Sequence, residues 1–177
     1  MPTLLTVERL VTPIGTALLV TDDDGVLRAF NWTDHEGSMR AWLARHHPEV
    51  PLREGVTPVR DAFVAYFGGD VNALAGVPWV ASGTQFQRKV WGTLCGIPAG
   101  ETITYAELAV RIGKPSAVRA VGTANGANPV AVLVPCHRVI GSNGTLTGYG
   151  GGLPRKRWLL EHEGVAVEDE RRQLGFF

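Results

Sequence analysis

Apolar and polar residues alternate through the first third of the chain, in LLTVERLV, ALLV and VLRAFNW. A period of two is that of a strand with one buried face. The breaks between these runs, TPIG and DDDG, are built from turn residues. The pattern predicts three antiparallel strands near residues 4–11, 16–21 and 25–32. Helices follow at about 36–46 and 56–68, the second in VTPVRDAFVAYFGG and ended by its glycine pair. GDVNALAGVPWVASG has neither period and reads as a linker.

Beyond residue 82 the spacing becomes helical. In FQRKVWGTLCGI, Phe86, Val90, Leu94 and Ile97 recur at intervals of four and three, giving one buried stripe. That stripe predicts a core or near-core position for Cys95. Thr104 and Glu107 have the spacing of a capping box ahead of TYAELAVRIG, which Gly113 and Pro115 terminate. Ser116 then caps SAVRAVGTANGA, stopped by Asn128-Pro129. Two short helices joined by a three-to-four-residue turn fit a helix-turn-helix, and equally any helical hairpin. VAVLV predicts a short buried strand and Asn143-Gly144 a hairpin turn. GYGGG at 148–152 reads as a wall that lets a ligand approach the backbone, and PRKRWLLEHE as a helix opened by Pro154 and ended by Gly164. The tail from 165 to 177 is mixed in charge and reads as poorly ordered. The change of pattern divides the chain into an N-terminal α/β domain with its linker, 1–81, and a C-terminal domain, 82–177.

Composition adds a compartment. With 177 residues, 45% of them hydrophobic, and no apolar run near the ~20 needed to cross a bilayer, the chain reads as a soluble globular protein away from membranes. Glu8 and Arg9 interrupt any signal sequence, and two cysteines make no disulfide framework, so a cytoplasmic location is expected. The net charge of zero hides an asymmetry: residues 1–81 carry six basic against ten acidic side chains, and 82–177 carry eleven against seven. Between Arg88 and Arg157 nine basic residues face only Glu101 and Glu107. Such a bias fits a polyanion-binding face and a solvated mixed surface about equally. The helix SAVRAVGTANGA shows Ala117, Ala120, Gly122, Ala124, Gly126 and Ala127, with Arg119 as its one long side chain. A smooth surface of this kind suits close approach to DNA with little sequence readout. Tight helix packing would explain the glycines as well.

The chemistry gathers at VPCHRVIG, where Cys136 stands between a proline and a His-Arg pair. A thiol with an ordinary pKa near 8.5 is mostly protonated at neutral pH, so a nucleophilic cysteine needs a base or a cation. His137 is adjacent, but neighbours on an extended chain point to opposite faces, so contact requires a sharp turn or a bridging water. The imidazole would also need an orienting acid. Glu163 is a candidate, because it sits in the last turn of a helix, where the dipole disfavours a carboxylate unless a partner compensates; a solvated surface glutamate is the commoner outcome at such a position.

PCHRVIG, with TYAEL and RAVGTANGANP before it and LTGYGGG and WLLEHEG after it, resembles the O6-alkylguanine-DNA alkyltransferases. The likeness is greatest to the bacterial type without a fused regulatory domain. It covers at least residues 82–164, and the N-terminal PIG hairpin and AYFGGD helix fit as well. The resemblance implies an α/β (α+β) fold: an N-terminal ribonuclease-H-like three-stranded antiparallel sheet with helices, and a C-terminal winged helix-turn-helix domain. It implies direct reversal of DNA damage, with the alkyl group of O6-alkylguanine passing irreversibly to Cys136 and O4-alkylthymine left open as a second substrate. His137 would deprotonate the thiol through a water, held by Glu163, and Tyr105 would donate a proton to N3 of the flipped base. Arg119 would fill the vacated stack from the minor groove, on a DNA-binding helix with Ala120, Gly122, Thr123 and Gly126. Asn128 would brace the turn after that helix. The carbonyls of Cys136 and Val139 would take the guanine amine, the Gly150 backbone would meet O6, and Tyr149 and Gly151 would shape the pocket. Arg138 would be structural. The partner would be double-stranded DNA with little sequence specificity, bound by a monomer, with cooperativity on DNA left open. No cofactor is implied. No metal is expected either, since residues 1–94 lack cysteine and His35, His46 and His47 lack ligand spacing. A lesion-binding module without transfer and a cysteine hydrolase are the rival classes. The cysteine opposes the first, and the lone arginine on a smooth helix has no use in the second.

Overall fold

The computed structural model describes residues 1–167; the expectation for the tail falls outside these residues from 168 onward. The chain forms two compact units, one of Met1–Thr84 with Asn128–Leu133, the other of Gln85–Ala127 with the chain from Val134.

The first unit is built on β1 (Leu5–Thr12), β2 (Gly15–Asp22) and β3 (Leu27–Trp32), followed by α1 (Glu36–His46), β4 (Leu52–Glu54) and α2 (Arg60–Phe67). The three expected strands pair antiparallel, but the sheet has four strands, ordered β3-β2-β1-β4. β4 runs parallel to β1, pairing Leu5 with Leu52 and Val7 with Glu54. It was not predicted because its three residues, LRE, have no apolar alternation and are held by backbone pairing. β2 is buried along Ala17–Val20, as the central strand of a sheet covered on both faces must be. Leu5, Val7, Leu18, Val20 and Ala29 pack with Met39 and Leu43 of α1. Phe30 stacks on Phe63 of α2 at 5.3 Å between ring centres. The helix expected from 56 begins at Arg60, because the stretch before it is engaged by Glu8. This buried carboxylate accepts from the Thr57 N–H, the Thr57 hydroxyl and Arg60.

The linker does more than connect. Leu27 donates its N–H to Pro78 and accepts from Val80, and Phe30 donates to Pro129, so both segments lie along the free edge of β3. VAVLV is therefore not a strand. Val130 bridges to Phe30, and the chain then turns tightly at Val132, whose φ of 71° is left-handed and strained for a β-branched residue. The Leu133 N–H donates to Ala131 O across that turn.

The second unit contains α3 (Gln85–Leu94), β5 (Ile103–Thr104), α4 (Tyr105–Arg111), α5 (Val118–Gly126), β6 (Val139–Ile140) and α6 (Leu153–His162). Val90, Leu94 and Ile97 of the expected stripe are buried, joined by Trp91, whose indole donates to Ala124 O at 2.8 Å. Cys95, however, is exposed. α3 ends at Leu94, so the stripe's period no longer applies to the residue after it. The Thr104–Glu107 capping box forms in full. α4 closes on a left-handed Gly113, with Lys114 N–H on Ala109 O and Gly113 N–H on Val110 O, a Schellman end. Six residues, 112–117, then precede α5, more than the expected turn. Ser116 is not the cap; α5 is preceded by Ala117 without a side-chain bond. At Asn143-Gly144 the turn forms, with Gly141 N–H on Thr145 O, but no hairpin ladder flanks it. β6 pairs in parallel with β5 instead.

These caps make a paired expectation for stability. Thr104→Ala should lower the unfolding free energy in urea by about 1 kcal/mol, as loss of a helix cap does. Ser116→Ala, which removes no cap, should stay within about 0.5 kcal/mol of the parent.

Candidate active site

Cys136, His137 and Arg138 form one turn of 3₁₀ helix. Its entry is tight: Pro135 has φ −83° and ψ 63°, and the Cys136 N–H donates to Val134 O at 2.8 Å, an inverse γ-turn. The chain at this point is not extended, so the rule that neighbouring side chains point to opposite faces does not apply to Cys136 and His137. Cys136 is 6% exposed and His137 fully buried.

Glu163 reaches them from the end of α6. Left-handed Gly164 closes that helix with a second Schellman pair, Val165 N–H on Leu160 O and Gly164 N–H on Glu161 O. The closure fixes Glu163 as the last residue before the chain turns away. His137 Nε2 lies 3.0 Å from each Glu163 oxygen, and Arg138 grips the same carboxylate in a fork, Nε to Oε1 and an Nη to Oε2, both 2.8 Å. A further Arg138 N–H donates to Ile97 O at 2.6 Å. The compensating partner that a carboxylate at a helix C-terminus requires is thus double.

The protonation states follow. Burial opposes ionisation of Glu163, but the Arg138 and His137 hydrogen bonds hold its carboxyl well below the usual range. Burial lowers the pKa of His137, opposed by Glu163 and reinforced by the charges of Arg138 and Lys156. A neutral ring whose Nε2–H donates to a carboxylate carries its lone pair on Nδ1. That Nδ1 is buried and has no hydrogen-bond partner among the described residues.

Tyr105 opens α4, and its hydroxyl donates to Thr147 O at 3.1 Å. Burial raises its pKa; the Thr147 bond opposes this and the Cys136 thiolate adds to it. Lys156 is fully buried, with Nζ donating to the carbonyls of Val139 (2.7 Å), Thr147 (2.9 Å) and Gly148 (3.3 Å). Burial pushes its ammonium down to about 8, and the Cys136 thiolate pulls it back up. A buried cation, a phenol and the Cys136 sulfur therefore sit within electrostatic reach of one another. The Cys136 carbonyl accepts from the Val139 N–H and, at 3.3 Å, from Asn125 Nδ2.

The remaining expected residues divide. Arg119, Ala120, Thr123 and Gly126 lie exposed on α5. A Cβ at Gly122 would make ordinary contact with the Tyr105 ring and one at Gly126 would meet nothing, so packing does not require either glycine. Tyr149 and Gly151 are half-buried, Gly150 is exposed, and Gly151 O accepts from Arg155. Asn128 belongs to the first unit, where its Oδ1 accepts from the Val130 N–H.

Residues 85–165 match the family model of the 6-O-methylguanine DNA methyltransferase, DNA binding domain. A methylated-DNA–protein-cysteine methyltransferase of Salmonella typhimurium is 44% identical over 164 residues, covering 90% of this chain and 96% of the relative. The chain belongs to the methylated-DNA–protein-cysteine methyltransferase family. Mycobacterium tuberculosis OGT in complex with DNA has a similar structure, with TM-score 0.75, 40% identity, and 89% and 92% of the two chains covered. An O6-methylguanine-DNA methyltransferase from Pyrococcus kodakaraensis is also similar, with TM-score 0.73, 25% identity, and 92% and 100% covered.

Two buried residues at this family site were not anticipated, Lys156 and Asn125. Each had a signal. Lys156 falls on the same helical stripe as Leu159, Leu160 and Glu163, and Asn125 on that of Val121 and Ala124.

His137 makes the site acid-sensitive. Its folded pKa lies below the ordinary 6.5, so just below that pH the unfolded chain binds a proton that the folded chain refuses. Stability should therefore fall as the pH drops through about 6.5, well before carboxylates titrate. In urea unfolding at pH 5.5 and 7.5 the difference should shrink in His137→Asn; an unchanged difference would remove His137 as its source.

Proposed function

We propose that this chain repairs duplex DNA by transferring the alkyl group of O6-alkylguanine to Cys136, once per molecule. The family's activity, a relative solved with DNA, and above all the buried Glu163–His137 pair beside Cys136 support this reading. Within a stacked duplex the alkyl carbon is out of reach, so the base is extruded at a cost of a few kcal/mol. α5 meets the minor groove, where its exposed face of small residues allows close approach and Arg119 fills the vacated stack. Small side chains read few base edges, which suits repair in any sequence context.

The chemistry is a displacement at carbon. His137 Nδ1 takes the thiol proton through a water, and Glu163 keeps the ring in the tautomer that leaves this nitrogen as acceptor. Lys156 stabilises the thiolate by its charge. The thiolate forms a C–S bond as the C–O6 bond breaks, and the electron pair leaves on the purine. Tyr105 turns from Thr147 to donate its proton to N3, so guanine departs neutral. The exocyclic amine of the base donates to the carbonyls of Cys136 and Val139, which also accept from Asn125 and Lys156 respectively. The Gly150 backbone meets O6, and Tyr149 and Gly151 wall the pocket. Asn128 stiffens the chain after α5 through its bond to Val130.

Incubation with an O6-methylguanine duplex, followed by mass mapping, tests the assignment. The methyl group should appear on Cys136 and be absent in Cys136→Ser, whose affinity for lesion DNA stays within a few-fold. Methyl on Cys95 would overturn it. Arg119→Ala should slow transfer from duplex at least tenfold more than transfer from free O6-benzylguanine, the range expected for losing help with extrusion. Equal slowing on both would make Arg119 structural.

A further inference from the structure

We propose that Asn125 is a positioning residue for the nucleophile, bracing the Cys136 peptide from α5. A single 3₁₀ turn is weak by itself, since its hydrogen-bond geometry is poor and few internal bonds hold it. Here two bonds close it, from the Arg138 N–H to Pro135 O at 3.0 Å and from the Val139 N–H to Cys136 O. The turn is held from outside at each residue. Glu163 of α6 anchors the His137 and Arg138 side chains, and Asn125 of α5 bonds the Cys136 carbonyl.

Asn125 is only 4% exposed, and a carbonyl can be met only by its Nδ2–H, so the amide orientation is fixed. Its Oδ1 is then left buried without a hydrogen-bond partner. A leucine of similar size would strand no acceptor, and a buried unpaired acceptor is unfavourable. An amide retained here at that cost points to the bond it makes. α5 is rigid at this level, because Ala124 O accepts from the buried Trp91 indole. The same helix presents Arg119 on its exposed face. Asn125 thus ties the backbone of the nucleophile to a fixed point on the helix assigned above to DNA. The inference rests on Cys136 being the alkyl acceptor.

A stoichiometric reaction separates positioning from stability, because unfolded molecules lower the amplitude of a single turnover and a misplaced nucleophile lowers its rate constant. With lesion duplex in saturating excess, Asn125→Leu should react to full amplitude with a rate constant about ten- to a hundredfold lower, the cost of a small misplacement of a reacting group. Its affinity for duplex DNA should match the parent. Asn125→Asp adds a titration: a protonated carboxyl can donate to Cys136 O and an ionised one repels it. The rate constant of this variant relative to the parent should therefore rise as the pH is lowered. Reduced amplitude at an unchanged rate constant in Asn125→Leu, or a pH-independent ratio in Asn125→Asp, would overturn the role. Failure of the parent itself to alkylate Cys136 would instead overturn the function on which it rests.

Discussion

A carboxylate taken out of water must find its counter-charge at once, and most of the second unit's architecture serves that need at Glu163. Two donors from one turn of chain, His137 and Arg138, meet its two oxygens. Removing one partner of a buried pair costs about 3–5 kcal/mol, because the remaining charge is left uncompensated. The arrangement therefore holds its parts firmly: the 3₁₀ turn cannot unwind and α6 cannot slide without stranding a charge. Arg138 supplies most of the neutralisation, which leaves His137 free to stay neutral. Its contact with Glu163 then sets the tautomer more than the basicity, and the lone pair comes to lie on Nδ1.

Around this fixed point the thiol is surrounded by unlike groups. Lys156 offers positive charge, held by three carbonyls rather than by a carboxylate that would cancel it. Those carbonyls also belong to the backbone around residues 139–148, so one side chain both charges the site and fixes its wall. Tyr105 reaches the same wall through Thr147.

The candidate site was legible because it lies in contiguous words: PCHR places a cysteine and a histidine side by side, and HEG places an acid at a helix end just before the glycine that stops it. Strands β1 to β3 and the Thr104 cap were legible through period and spacing. What escaped the sequence was set by tertiary pairing. β4 exists because β1 has an edge to fill, and VAVLV is apolar because it is buried, not because it is a strand. Cys95 lies one residue past the end of its helix, where an apolar period ceases to predict a face. Lys156 and Asn125 are polar residues on buried stripes, where composition suggests a surface position and only the helical period places them inside.

The proposed transfer requires a nucleophile that is used once. A thioether, unlike a disulfide, is not opened by thiol exchange. Cys95, the other thiol, is exposed just past the end of α3. The most direct measurement is a titration of a fixed amount of protein with increasing O6-methylguanine duplex, counting repaired bases at several incubation times. The repaired count should reach a plateau at one alkyl group per chain that does not move with time. A yield that climbs past one equivalent would show turnover and contradict it.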